Sequence, residues 1–193
     1  MSARKIVVGI TGASGAPYAK RLLAVLEQRR EAWADVDVSV CHSSTASEVW
    51  ALETGGVLRE DIHFPIWSAR DYRAPFASGS AGYHAMAVIP CSMSTVSRIA
   101  HGTSDTLLTR AADVMLKERR TLVVVPRETP LTVIHLENMA ALARAGAVIL
   151  PAMPAFYTRP SSLDDAINTV VARVLDHLGV EQNLVRPWGK EAP

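Results

Sequence analysis

The sequence predicts an α/β protein: a three-layer sandwich in which a mostly parallel sheet carries helices on its faces. Three observations predict it. Short apolar runs rich in β-branched residues alternate with longer stretches of helical period. Most of those runs are apolar nearly throughout, as strands covered on both faces are. The chain has 193 residues, 49% apolar and 20% charged, which suits one folded domain with one sizeable core. No repeat or low-complexity segment interrupts it.

Taken in order, the first candidate strand is 5–10, followed by a helix over about 16–30. A second strand at 36–41 leads into a helix at 45–54. Residues 71–83 hold Pro75, Ser78, Gly79, Ser80 and Gly82 without clear period and read as a loop long enough to be functional. The third strand, 85–90, precedes helices at 93–101 and 106–119. A strand at 121–125 comes next, then a helix at 130–145. Thr129 is placed to N-cap that helix, with Pro130 at its first position and Gly146 just past its end. After a last strand at 147–150, Ser161-Ser162-Leu163-Asp164 resembles a capping box for a helix at 162–178. That helix carries Ile167, Val170, Val171, Val174, Leu175 and Leu178 on one stripe. The whole chain, 1–193, reads as one domain with an irregular tail from about 180, whose Trp188 calls for a docking site.

Composition narrows the function classes. Lys plus Arg (20) balances Asp plus Glu (19), so no global field draws nucleic acid or an anionic membrane. The apolar run Ile6 to Ile10 is too short for a signal segment or a membrane span, and a cytoplasmic enzyme is the expectation. Cys41 and Cys91 form no CxxC. The six histidines show no HxxxH or HExxH spacing, so no metal site is expected. Asp164-Asp165 reads as a helix first turn, and there is no GxSxG.

The first strand runs into Thr11-Gly12-Ala13-Ser14-Gly15-Ala16 and then a helix. Glycines let backbone amides approach an anion, the helix N-terminus adds donors and partial positive charge, and Ser14 adds a hydroxyl. The pattern is neither GxGxxG nor a Walker A loop, so by itself it is a weak signal, with an ordinary tight turn as the lesser alternative. At the end of the second strand an NAD-binding domain carries an acid; here stand His42-Ser43-Ser44-Thr45. That favours a smaller ligand with a terminal phosphate. A third hydroxyl cluster, Cys91-Ser92-Met93-Ser94-Thr95, follows the strand ending at Pro90. Three clusters at strand C-termini fit the rule for ligand crevices in open α/β sheets, although some of these side chains serve as N-caps.

A second anionic site is suggested further on. Arg110, Asp113 and Lys117 share a helix face, while Arg119 and Arg120 close the helix end, where cations are favourable anyway. Arg127 and Glu128 follow a buried strand, which is typical of a site. Tyr157 offers a phenol in the loop after the last strand. Arg173 lies beside the apolar stripe of the last helix, and a surface arginine explains it equally well.

Gly12-Ala13-Ser14-Gly15-Ala16, Ala77-Ser78-Gly79-Ser80, Pro90-Cys91-Ser92, Arg110-Ala111-Ala112-Asp113, Leu116-Lys117-Glu118-Arg119-Arg120, Pro126-Arg127-Glu128-Thr129-Pro130 and Pro154-Ala155-Phe156-Tyr157 occur together and in order. With these seven motifs the chain resembles the UbiX/Pad1 family of flavin prenyltransferases, often labelled aromatic-acid decarboxylases. The likeness extends from Lys5 to Trp188. It implies a Rossmann-like, flavodoxin-type fold assembled into a homododecamer. It also implies a metal-independent reaction joining a dimethylallyl group, from dimethylallyl monophosphate, to N5 and C6 of reduced FMN. The prenylated FMN would pass to a UbiD-type decarboxylase, in ubiquinone biosynthesis or aromatic-acid decarboxylation.

Carried over by residue, the resemblance puts FMN on Gly12, Ala13, Ser14, Ser43, Ser92, Met93, Ser94, Thr95 and Arg127. It puts the prenyl phosphate on Lys117, Glu128, Tyr157 and Arg173, with Arg110 reaching in from a neighbouring subunit. Tyr72 and Trp188 join the substrate-binding set, and Glu53 matches a glutamate near the reacting flavin edge. Ser14 and Glu53 become candidates for moving the proton lost at ring closure, with Lys117 and Glu128 as further catalytic candidates. Cationic and phenolic donors suit a departing phosphate, an aromatic face suits an allyl cation, and a carboxylate with a hydroxyl can relay a proton. Two departures stand out: Tyr72 where tryptophan is common, and Ser94 where Lys or Gly is common. The alternatives are an FMN-dependent cysteine decarboxylase, which would need a catalytic histidine early in the chain and a Pro-Ala-Ser-Ala-Asn-Thr motif, and a non-catalytic FMN-carrying accessory subunit.

Overall fold

Along β1 (Arg4–Ile10), Ile6, Val8 and Ile10 turn to one side of the sheet and Val7 to the other, as the two-residue strand period requires. The same alternation recurs in β5 (Thr121–Pro126), where Val123 and Val125 join one apolar layer and Leu122 and Val124 the opposite one. These strands have both faces covered, which is why their sequences are almost unbroken in apolar residues. The computed structural model describes residues 3–186 and 188–189.

Among the described residues six strands form one sheet. Added to β1 and β5 are β2 (Val36–His42), β3 (Ile66–Trp67), β4 (Ala85–Cys91) and β6 (Val148–Ile149). Their order is β3-β2-β1-β4-β5-β6, and all pairs are parallel. The helices are α1 (Ala16–Trp33), α2 (Ala46–Thr54), α3 (Leu58–Asp61), α4 (Met93–Ala100), α5 (Leu107–Lys117), α6 (Val133–Arg144) and α7 (Leu163–Leu178). One face of the sheet is covered by α1 and α7, the other by α4 and α5, which gives the three layers expected. The chain winds outward from β1 in one direction and from β4 in the other. Their carboxyl ends therefore border the topological switch point, where open α/β sheets bind ligands.

Several local expectations shift. The two-residue edge strand β3 and the one-turn helix α3 have no readable signal in the sequence. Residues 71–83 contain two 3-10 turns, Pro75–Ala77 and Gly79–Ala81, and bury Phe76 and Tyr83, which meet edge to face with ring centroids 5.6 Å apart. Thr129 and Pro130 stay outside α6; Thr132 caps it, in a reciprocal box with His135. The hydroxyl and acceptor three residues on decide this start, and Thr132 with His135 supplies both. The last helix moves likewise by one residue: its capping box is Ser162 with Asp165, not Ser161 with Asp164. The Asp165 carboxylate also accepts from the Ser161 amide and hydroxyl, so both serines are used. The α7 stripe is buried as its spacing indicates, and Gly146 follows α6 at φ 98°.

Candidate functional site

The turn after β1 is built around Thr11, a buried residue with three hydrogen bonds on one hydroxyl. Thr11 Oγ1 donates to the Pro90 carbonyl at 2.8 Å and accepts from the amides of Ser92 at 2.9 Å and Ala13 at 3.3 Å. It pins the end of β1 to the end of β4. The next residue has no room for a side chain: a Cβ on Gly12 would lie 2.0 Å from Thr45 Oγ1. Gly15, at φ 124°, occupies a conformation side chains rarely adopt and caps α1 with its backbone alone.

The open amides at the α1 N-terminus meet a carboxylate from the chain itself. Glu53 Oε2, from the end of α2, accepts from Gly15 N and Ala16 N, each at 2.8 Å. Arg127, just past β5, donates from Nε to the Ser14 carbonyl at 3.1 Å. Partial burial works against the Glu53 charge. The Ser14 hydroxyl, the two amides and the nearby Arg127 guanidinium outweigh it and hold the carboxyl below the ordinary glutamate range. Glu53 is therefore ionised at neutral pH, with Ser14 hydrogen-bonded to it.

Beside this constellation opens a cleft of about 550 Å³ whose walls include Gly12, Ser43, Thr45, Ser92, Ser94 and Thr95. The second and third hydroxyl clusters thus converge on one space, with Gly12 of the first turn beside them. Ser92 caps α4 by accepting from Thr95 N, and its hydroxyl also meets those of Ser94 and Thr95 at 3.1 and 3.0 Å. The side chain of Met93 is buried in the core, so its backbone is the part that faces a ligand. Arg70, Arg98 and Asp105 also line this cleft, and reading the sequence does not single them out.

The remaining candidates are spread out. Arg127 and Glu128 line a separate pocket of about 280 Å³ with Met139 and Met153, and Glu128 Oε1 accepts from the Thr129 amide at 3.0 Å. Tyr157 and Trp188 meet edge to face, centroids 5.1 Å apart, at the mouth of a further cavity of about 560 Å³. Trp188 is nonetheless 81% exposed, so this contact only partly supplies the docking expected of it. Tyr72 is half exposed in the loop before the first 3-10 turn. Arg173 is exposed and pairs with Asp176 at 2.7 Å.

Arg110 donates to the Ala77 carbonyl at 3.1 Å and pairs with Asp113 at 3.0 Å. Lys117 ends α5, paired with Glu118, four residues before β5 begins at Thr121. It therefore lies at the amino edge of the sheet. The hydroxyl clusters sit at the carboxyl edge, roughly 15–20 Å away along a six-residue strand. Arg120 is tied inward, donating to the Gly79 carbonyl at 2.8 Å, rather than lying on a solvated face.

Burial pushes the Cys41 thiol up to about 12 and raises that of Cys91 as well, so neither is a nucleophile at neutral pH. Among the described residues no cluster of His, Cys, Asp or Glu has the arrangement of a metal site, and no helix is long and apolar enough to cross a membrane.

Comparison with known proteins gives this arrangement a family. The family model described as Flavoprotein matches residues 1–175. A flavin prenyltransferase UbiX of Methanocaldococcus jannaschii is 45% identical over 187 residues, covering 96% of this chain and 98% of that protein. The crystal structure of AnUbiX (PadA1) in complex with FMN and dimethylallyl pyrophosphate superposes with a TM-score of 0.91 at 39% identity, covering 98% of this chain and all of that one. A dodecameric FMN-dependent UbiX-like decarboxylase from Escherichia coli O157:H7 gives a TM-score of 0.86 at 46% identity, covering 92% and 96%. The chain belongs to the UbiX family of flavin prenyltransferases.

Proposed function

We propose that this protein transfers a dimethylallyl group from dimethylallyl monophosphate to N5 and C6 of reduced FMN. The observation that carries the reading is the Ser14–Glu53–Arg127 constellation at the rim of a hydroxyl-lined cleft. The residues fit the flavin: the Gly12 turn tolerates no side chain, leaving backbone available for close approach, and the hydroxyls suit ribityl and phosphate oxygens. Gly12, Ala13, Ser14, Ser43, Ser92 to Thr95 and Arg127 would hold it.

Reduced FMN, when bound, supplies two electron-rich positions that can take an allyl group. The chain's work is to hold the donor, ionise it and move a proton. Lys117 and Arg173 neutralise the phosphate and the Tyr157 phenol donates to it as the allylic C–O bond breaks, and Tyr72 and Trp188 offer aromatic faces to the cationic fragment. The Ser14 hydroxyl accepts the proton released on ring closure while passing its own to the Glu53 carboxylate. Glu128 lies beside Arg127 and completes the wall toward the phosphate.

Lys117 and Arg110 serve this site from a neighbouring copy, because within one chain Lys117 stands at the opposite edge of the sheet. A homododecamer supplies that neighbour. The product would be consumed by a UbiD-type decarboxylase, and the buried, reduced Cys41 and Cys91 suit the cytoplasm. The test is anaerobic incubation with reduced FMN and dimethylallyl monophosphate, followed by mass spectrometry of the flavin. A gain of one C5 unit supports the reading; an unchanged mass refutes it, and parallel incubation with the diphosphate decides the donor.

A further inference from the structure

In a mononucleotide fold, the first glycine-rich turn and the helix behind it are the expected phosphate site. In this chain that position is taken. Glu53 Oε2 already satisfies the Gly15 and Ala16 amides, and Arg127 is engaged on the Ser14 carbonyl and faces the Glu53 charge. A dianion placed there would meet a fixed carboxylate. The phosphate of a bound flavin must lie elsewhere in the cleft.

The other end of the cleft offers what a phosphate needs. Hydroxyls of Ser43, Thr45, Ser92 and Ser94 converge from two strand ends. In the first turn of α4, Ser92 Oγ takes the Thr95 amide and Thr11 Oγ1 takes the Ser92 amide. That leaves the Met93 and Ser94 amides as the turn's open donors. Two guanidinium groups, Arg70 and Arg98, border the same space, against one carboxylate, Asp105.

Arg98 is the better placed of the two. It sits one helical turn beyond Ser94 on the same face of α4, its Nη1 donating to the Ser94 carbonyl at 3.4 Å and its Nε to Asp105 at 3.3 Å. Both bonds are long, so the group is oriented without being saturated.

We propose that Arg98 recognises the terminal phosphate of flavin mononucleotide and makes the site select the phosphorylated flavin over riboflavin. This rests on the reading that the cleft holds FMN. The flavin then spans the cleft with its phosphate beside α4 and its ring toward Ser14 and Glu53. Arg98 bridges the phosphate and Asp105, which keeps that carboxylate from repelling the ligand.

The test measures FMN and riboflavin affinities side by side, by quenching of flavin fluorescence, for the wild type, Arg98→Gln and the double variant Arg98→Gln with Ser94→Lys. Position 94 is exposed on the same cleft wall, so a lysine there restores a cation near the phosphate. The expected result is a loss of about 10- to 50-fold in FMN affinity for Arg98→Gln, as for one charge-assisted contact. Riboflavin binding should be unchanged, and the FMN preference should return in the double variant. Equal losses for both flavins, or no loss for either, overturn the proposal. A wild type that binds riboflavin as tightly as FMN overturns it too, while leaving the flavin reading intact. A wild type that binds no flavin refutes the flavin reading itself.

Discussion

Replacing Glu53 by glutamine separates holding the turn from moving a proton. In Glu53→Gln the new carbamoyl oxygen can still accept from Gly15 N and Ala16 N, which lie 2.8 Å from the native carboxylate oxygen. The turn should keep its shape, and FMN affinity should change by less than about threefold, since neutral bonds replace charge-assisted ones at a solvent-facing rim. An amide cannot take the proton from Ser14. General acid–base steps contribute about 10²- to 10⁴-fold, so the rate of prenyl transfer to reduced FMN should fall by that factor, or about 3–5 kcal/mol in barrier. The assay is a single-turnover reaction under anaerobic conditions, with flavin mass as readout. A Glu53→Gln rate within about threefold of wild type would remove Glu53 from the chemistry. Loss of FMN binding in step with the rate would make its role structural. The truncation Glu53→Ala removes the one oxygen that accepts both amides and should cost about 1–2 kcal/mol after allowance for exposure. For a chain of this size that is a melting point lower by about 2–8 °C. The carboxyl is held below its ordinary value of 4.5, so its contribution is fully present above that pH and is lost as pH falls through the folded value. The wild-type advantage over Glu53→Gln should accordingly shrink as pH falls below about 4.5. An advantage that instead grows on acidification would contradict the depressed pKa.

Three further outcomes are expected. Gly12→Ala places a methyl 2.7 Å from Thr45 Cβ as well as against its hydroxyl, so flavin affinity should drop at least about tenfold; an unchanged titration curve would show that the turn yields freely. Thr11→Val keeps the shape but strands the Ser92 and Ala13 amides, lowering stability in denaturant by about 2–4 kcal/mol, whereas Thr11→Ser should recover most of it. Lys117→Ala and Glu128→Ala should each be nearly inactive alone, yet subunits of the two, mixed and reassembled, should regain activity; no recovery would mean that the site is not shared between copies.

Much of the sheet is legible in the sequence because its strands are sealed on both sides: β1, β4 and β5 announce themselves as apolar runs, while β2 alternates Val36, Val38 and Val40 with Asp37 and Ser39. The edge is different. Ile66–Trp67 contributes two residues of pairing, too few for any period, and is made a strand only by the backbone of Val40 and Cys41 beside it. Helix starts shift by one to three residues where two capping hydroxyls stand close together, as at Ser161 and Ser162, since only tertiary placement chooses between them. In the site, the hydroxyl clusters can be found because each follows a strand. The Glu53 contact joins residues 38 apart and the Arg127 contact residues 113 apart, and no local pattern encodes such meetings. Arg98 does leave a signal, a cation four residues after Ser94 on one helix face. The glycine turn after β1 outshines it as a phosphate motif, and only the Glu53 carboxylate, invisible in the local sequence, takes that turn out of contention.

The hydroxyl of Thr11 has a kinetic consequence. It fastens the first strand's exit to the start of α4, so the two walls of the cleft cannot swing apart about the switch point without breaking buried bonds. A flavin must then arrive through the open carboxyl edge of the sheet into a site already shaped for it. Association should follow a single exponential whose rate constant rises linearly with flavin concentration, with no plateau from a preceding opening step.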